Sequence, residues 1–254
     1  MAVPTDFPQS FRVTRVDKLT PTVKSIEFDH ELGFVPGQFA MVWVPGVDEI
    51  PISLSGPNQI TVKKVGEATT ALHSLEKGDF IGVRGPYGNG FAIEGHRVLL
   101  VGGGVGIAPM KALAQYGEKD FTSVIGSQDK SELFFKDHFP ALHVCTDDGS
   151  EGEKAFATVV AERLLGDRKY DAVAACGPEI MLKFLFKICE DAGVPVYFSM
   201  ERWMKCGFGV CGHCAIDPTG WRVCKEGPIA SSTVLRNSEF FNYRRDQAGR
   251  EVKL

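Results

Sequence analysis

The sequence predicts an antiparallel β-barrel, then a parallel, doubly wound α/β domain, then a small cysteine-rich C-terminal domain. Three observations carry this reading. Over residues 1–95 short β-branched or aromatic runs alternate with Gly and Pro punctuation, as a set of short antiparallel strands does. From residue 96 strand-like runs alternate with helical ones, which is the pattern of a parallel sheet. Of seven cysteines, Cys206, Cys211, Cys214 and Cys224 crowd into one short stretch near the C-terminus. The expected domain boundaries are therefore 1–95, 96–198 and 199–254.

In the first part the predicted strands are Phe11 to Val16, Thr22 to Phe28, Phe39 to Val44, Ile60 to Val65 and Phe80 to Val83. Pro36-Gly37, Pro45-Gly46, Gly56-Pro57 and Gly85-Pro86 supply the turns. A single helix, Thr69 to Leu75, follows the loop Gly66-Glu67-Ala68. In the second part Arg97 to Val101 reads as a buried strand that runs straight into Gly102-Gly103-Gly104-Val105-Gly106, then Pro109 and a helix to Tyr116. Phe121 to Ile125 and His143 to Thr146 are further strands, Ala155 to Leu165 a helix, and Asp171 to Ala175 a strand. Glu179 to Ala192 is a helix with Ile180, Phe184 and Ile188 at helical spacing, and Val194 to Ser199 closes the sheet.

Composition narrows the function classes. The 254 residues carry a formal net charge of −4 with no long basic run, which argues against a nucleic-acid or anionic-membrane surface. No apolar run reaches the roughly 20 residues of a bilayer span. Met1 to Asp6 lack the charged and apolar regions of a signal peptide, so the expected location is the cytoplasm. In a reducing compartment clustered cysteines hold a metal more readily than they form disulfides.

The cysteine spacing is C-x4-C-x2-C-x9-C, and its first three members have the plant-type [2Fe–2S] arrangement with a distal fourth cysteine. Gly207, Gly209 and Gly212 suit a loop that must turn backbone N–H groups toward sulfur, often at positive φ. A structural zinc site also takes four thiolates, but zinc ribbons pair two short knuckles and Cys224 has no close partner in sequence. His213, between Gly212 and Cys214, is expected to point to solvent. Cys145 and Cys189 read as small core residues.

The turn Gly102 to Gly106 lies between a strand and a helix, where a pyrophosphate can rest on backbone N–H groups. It is not in the G-x-G-x-x-G register, and such turns also serve packing alone. The same topology recurs at Ala174-Ala175-Cys176-Gly177-Pro178, so both turns are expected to face one crevice at the carboxyl ends of the strands. A buried small hydrophobe is the plain alternative for Cys176. Gly126 to Asp129 ends the second strand where a ribose is expected, and an acidic residue there without Arg favours NAD over NADP.

Together these residues resemble the ferredoxin–NADP reductase superfamily, and within it the electron-transfer subunits of dihydroorotate dehydrogenase B. Pro36-Gly37-Gln38-Phe39 is similar to that family's strand entry, Pro51-Ile52-Ser53-Leu54 to its flavin-stacking strand, and Gly66-Glu67-Ala68-Thr69 to its G-x-G-T phosphate loop. Gly85-Pro86-Tyr87-Gly88, Gly102 to Pro109 and Cys176-Gly177-Pro178 follow in the family's order. The segment from Ser199-Met200-Glu201 through the four cysteines to Gly227-Pro228 is the most specific part. Two positions depart: Ile50 stands where the family places an Arg before Pro51, and Ala68 replaces the second glycine of G-x-G-T. Lys63 or Lys64, assisted by Thr69, is the nearest replacement cation for a flavin phosphate.

The resemblance implies FAD in the barrel, NAD(H) as co-substrate at Gly102, Gly103, Gly104, Gly106, Cys176, Gly177 and Pro178, and a [2Fe–2S] cluster on Cys206, Cys211, Cys214 and Cys224. Ser53 is expected near the reactive edge of the flavin, with Ile52 and Leu54 packed on its ring. Nicotinamide moves electrons in pairs and a cluster singly, so a flavin between them is required. The implied partner is an FMN-containing catalytic subunit that oxidises dihydroorotate, in a heterotetramer. An electron-transfer subunit of another complex, such as a hydrogenase gamma or transhydrogenase small subunit, and a zinc-stabilised binding module without redox chemistry are the rival readings. The tail Phe240-Phe241-Asn242-Tyr243-Arg244-Arg245 reads either as a docking surface or as a segment packed on its own domain.

Overall fold

The computed structural model describes residues 7–167 and 169–253. Six strands close a barrel in the order β1-β2-β5-β4-β3-β6: β1 (Gln9–Lys18), β2 (Val23–Phe28), β3 (Phe39–Val44), β4 (Asp48–Gly56), β5 (Gln59–Lys63) and β6 (Phe80–Tyr87). Alternate residues fill it, among them Val13, Ile26, Phe28, Ala40, Val42, Leu54, Ile60 and Ile81. On β3 the opposite face is also buried, because Phe39 and Met41 pack against the C-terminal part of the chain. That double burial explains an apolar run without alternation. A short helix, α1 (Glu67–His73), covers the barrel with Leu72. It starts two residues before the predicted Thr69, so Glu67 and Ala68 belong to the helix rather than to the preceding loop.

The second sheet has the order β10-β9-β8-β7-β11-β12-β15. Its parallel centre comprises β7 (Arg97–Gly103), β8 (Asp120–Ser127), β9 (Leu142–Thr146), β11 (Ala172–Cys176) and β12 (Val196–Ser199). The helix α2 (Ile107–Tyr116) packs on one face, with Val98, Leu100 and Ala174 beneath. On the other face α3 (Ala157–Asp167) and α4 (Glu179–Ala192) cover Leu99, Val101 and Val173. From β7 the order runs one way to β8 and the other way to β11. That reversal is where α/β sheets bind ligands.

Strand β12 does not close the sheet. The edges are β10 (Glu153–Lys154) and β15 (Ile229–Ser231), and β15 pairs antiparallel with β12 although it comes from the cysteine-rich part. Around it lie the hairpins β13 (Ala215–Ile216) with β14 (Trp221–Arg222) and β16 (Tyr243–Arg245) with β17 (Glu251–Lys253), and the turn of helix α5 (Ser232–Leu235). Ile216, Val223, Ala230, Leu235, Phe240 and Phe241 share one hydrophobic cluster with the sheet and with Phe39, Met41 and Tyr87 of the barrel. Among the described residues no helix is long and apolar enough to cross a membrane.

Candidate functional site

The two turns of the α/β domain meet at the strand-order reversal. A Cβ on Gly106 would lie 2.3 Å from the Cys176 carbonyl oxygen and 2.7 Å from the Gly177 nitrogen, so the turns are in backbone contact. A Cβ on Gly103 or Gly177 would strike Met181 at 2.5 Å. At Gly106 only glycine permits this approach, whereas at Gly103 and Gly177 the obstacle is the flexible end of Met181. Gly104 has φ +55 and open space around its missing Cβ. Cys176 ends β11 almost wholly buried; burial pushes its thiol far up, the charge of Glu201 adds to this, and hydrogen bonds from Ser199 and Gly177 only partly offset it. A neutral thiol there can orient a neighbour but is a poor nucleophile. On β8's exit, Asp129 uses one carboxylate oxygen to accept the Ser131 N–H at 2.7 Å.

On β4 Pro51, Ile52 and Ser53 are half-buried, and no side-chain hydrogen bond engages Ser53 among the described residues. Leu54 is fully buried in the barrel core, so the expected packing on a ring falls to Ile52 and not to Leu54. Near the end of β5 the Thr69 hydroxyl accepts the N–H groups of Val65 at 2.9 Å and Gly66 at 2.8 Å and donates to the Gly66 carbonyl at 3.0 Å. Thr69 therefore shapes the Gly66–Ala68 turn rather than offering a free hydroxyl. Among the described residues neither Lys63 nor Lys64 pairs with a carboxylate, and Lys63 is half-buried at the strand end.

The four clustered cysteines fall into two neighbouring pairs, Cys211 acting on the Cys206 thiol and Cys224 on the Cys214 thiol. Among the described residues no three His, Cys, Asp or Glu side chains stand at single-ion spacing. Two pairs suit two metal atoms with two thiolates each better than one tetrahedral ion. Backbone N–H groups point at the sulfurs: Val210 to Cys206 and Cys224 to Cys214, both at 3.4 Å. Burial works against the Cys206 thiolate, but the N–H groups of Cys211, Phe208 and Val210 outweigh it and bring the thiol down to about 6. Cys214, stabilised by the Cys224 thiol, falls to about 7, while the same bond and burial push Cys224 up. Gly207 and Gly209 take φ +82 and +90, and their missing side chains admit Met41 and Lys225. Cys145 and Cys189 lie in the core, where burial pushes their thiols up to about 11 and about 12.

Several contacts were not foreseen from sequence. The cysteine loop docks on the barrel: Phe208 lies 6.4 Å from the Tyr87 ring, and the Arg84 guanidinium stacks over both rings at 5.6 and 5.7 Å. Arg84 is buried and held by Glu49 through two bonds of 2.6 Å. The barrel turn adds Asn89, whose N–H donates to the Gly227 carbonyl at 2.6 Å. Arg222 ties the loop from within, donating to the Gly209 carbonyl at 2.6 Å while paired with Glu226. His213 departs from expectation, because its Nε2 is buried without a hydrogen-bond partner among the described residues. Phe241 is buried against Phe186 of α4 and Phe198 of β12, and Phe240 against Phe241, so the tail packs on the neighbouring α/β domain and the docking reading of these two rings is withdrawn.

Comparison with known proteins agrees with this geometry. A family model described as the iron–sulfur cluster binding domain of dihydroorotate dehydrogenase B matches residues 201–235. A Methanocaldococcus jannaschii protein named as a probable dihydroorotate dehydrogenase B (NAD(+)), electron transfer subunit is 43% identical over 252 residues, 96% of this chain and 98% of its own. The chain belongs to this family. A Methanocella arvoryzae protein of the same name is 42% identical, with 97% of this chain and 99% of that one covered. Among solved structures, an NADH-dependent reduced ferredoxin–NADP oxidoreductase superposes with a TM-score of 0.81 at 30% identity, over 91% of this chain and 90% of that one. The FAD/NAD-binding domain of a Vibrio cholerae nitric oxide dioxygenase, at 22% identity and a TM-score of 0.63 over 76% of this chain and 98% of that one, shares the fold. All four clustered cysteines fall inside the matched segment. The buried Arg84 is spent on Glu49 and does not replace an Arg before Pro51.

Proposed function

We infer that this chain passes electrons between NAD(H) and a partner catalytic subunit that oxidises dihydroorotate, a step of pyrimidine biosynthesis, through bound FAD and a [2Fe–2S] cluster. One observation carries the reading: a chain matching electron transfer subunits along nearly its whole length pairs its four cysteines beside the barrel. The residues fit each group. Two thiol pairs with sulfur-directed N–H groups suit a binuclear cluster. The open side of Gly104, between β7 and α2 at the strand-order reversal, suits a dinucleotide phosphate lying on backbone. The half-buried Ile52 and the unengaged Ser53 suit the face and edge of a flavin ring. Bound flavin supplies the exchange between hydride and single-electron chemistry.

The chain's own residues bind, orient and insulate. Gly102, Gly103, Gly104 and Gly106 hold the nicotinamide cofactor's phosphates, while Cys176, Gly177 and Pro178 place its reactive ring, since hydride transfer depends on placement more than on covalent catalysis. Cys206, Cys211, Cys214 and Cys224 ligate the cluster, and the domains are divided as 1–95, 96–198 and 199–254. Asp129 favours NAD. The location is the cytoplasm, where reducing conditions keep such thiols available to metal. The partner is an FMN-containing subunit in a heterotetramer. Co-expressed with that subunit, the chain is expected to make NAD reduction depend on dihydroorotate. NAD reduction by dihydroorotate at the same rate without this chain contradicts the reading.

The flavin phosphate lacks the family's Arg, and Lys63 or Lys64 takes its place with Thr69, Gly66 and Ala68 forming the turn. Lys63→Ala combined with Lys64→Ala is expected to lower the flavin retained per chain after gel filtration. Undiminished retention rejects both lysines as the cation.

A further inference from the structure

We propose that Lys111 is a positioning residue for hydride transfer, clamping the helix that follows the nicotinamide turn onto the flavin-bearing strand. This rests on the function inferred above. Lys111 lies one turn into α2, which begins directly after Gly106, and it is only 6% exposed. Its ammonium donates to the Ser55 carbonyl at 2.9 Å and to Gln59 Oε1 at 2.8 Å, and lies 5.1 Å from the Phe135 ring centroid. Ser55 stands two residues beyond Ser53 on β4, where the β4–β5 register slips between Leu54 and Gly56. The slip takes its carbonyl out of the regular ladder, and Lys111 satisfies it.

Three features separate a clamp from ordinary packing. Among the described residues no carboxylate lies at ion-pair distance from Lys111; Glu27 instead accepts from Gln59 Nε2 at 3.2 Å. Burial accordingly lowers the Lys111 pKa, with Glu27 acting the other way. An ammonium buried without a counter-charge is costly, and an unbranched apolar side chain would be cheaper there, so directional bonding is what lysine adds. Beside it the barrel and the α/β domain are separated by a cleft of about 640 Å³ lined by Glu27, Gln59, Gln115, Phe135 and His138. Among the described residues few polar contacts align the domains on this side, and a further one runs from Thr22 Oγ1 to Glu132 at 2.7 Å. Through one rigid turn of helix, the same ammonium that meets β4 sets where Gly106 and its neighbours stand relative to Ser53.

The test uses the flavin- and cluster-replete chain in its complex, mixed rapidly and anaerobically with NADH. Lys111→Met is expected to slow flavin reduction at saturating NADH by about tenfold or more while the KM for NADH changes by less than about threefold. Lys111→Arg is expected to recover most of that loss. Hydrogen exchange, which needs no NADH, is expected to rise in residues 107–116 and 53–60 of Lys111→Met and nowhere else. A Lys111→Met rate within about twofold of the parent, a loss explained by missing flavin, or no recovery in Lys111→Arg overturns the clamp. Should Lys111→Met fail to fold, Gln59→Leu removes one of its two acceptors and must slow reduction in the same sense; an unchanged rate there also overturns it. A parent protein that NADH does not reduce refutes the inferred function instead, and the exchange measurement still judges the clamp.

Discussion

Replacing Cys214 by Ser is expected to remove bound iron and acid-labile sulfide and to cut NADH-driven reduction of a one-electron acceptor by about 100-fold or more, while NADH still bleaches the flavin. Cys214 is 2% exposed and receives both the Cys224 thiol and the Cys224 N–H. It immediately precedes β13, whose pairing with β14 brings Cys224 back beside it. The substitution therefore removes a ligand and unpairs its partner. The segment should nonetheless stay attached, because β15 is hydrogen-bonded into the large sheet and Phe240 and Phe241 sit in the shared core. Iron analysis, the visible spectrum and acceptor assays on one preparation check all three statements. Retained iron with parental acceptor activity would remove Cys214 from the ligand set.

Gly106→Ala is the second large effect. The new Cβ would meet the Cys176 carbonyl carbon at 2.4 Å and its oxygen at 2.3 Å, and neither backbone atom can move without displacing β11. A loss of about 2–3 kcal/mol in stability follows from overpacking of this kind, with flavin reduction by NADH falling by at least about tenfold as the two turns separate. Gly103→Ala is the control, since its nearest atom, at 2.5 Å, is the sulfur of the flexible Met181. It should cost about 1 kcal/mol or less. Denaturant midpoints of the two variants, compared under one set of conditions, give the order; equal losses would mean that the turns are not in the contact described.

The parts legible in sequence are those with local signals. Cysteine spacing marked the four thiols and their glycines, and the strand-to-turn pattern marked Gly102–Gly106 and Cys176–Pro178. The alternation of strands and helices gave the parallel sheet. What stayed hidden depends on distant residues. Strand β15 is three residues long and has no periodicity to read; its place is set by β12. The aromatic and basic tail looked exposed because its apolar partners, Phe186 and Phe198, lie on α4 and β12. Leu54 and Ile52 are alike in type, and only barrel geometry turns one into the core and leaves the other half-buried. Arg84, Glu49 and Lys111 carry no motif at all. A buried cation is visible only once the fold has placed its acceptors.

A chain that seats a nicotinamide cofactor, a flavin and a two-iron cluster must pass electrons from the first to the last. Anaerobic titration of the purified chain with NADH, followed by visible absorbance, reads this transfer. Flavin and cluster absorbance are expected to bleach together, with iron and sulfide present in equal amounts. Zinc in place of iron, or a flavin-replete chain that NADH leaves oxidised, rules out this electron path.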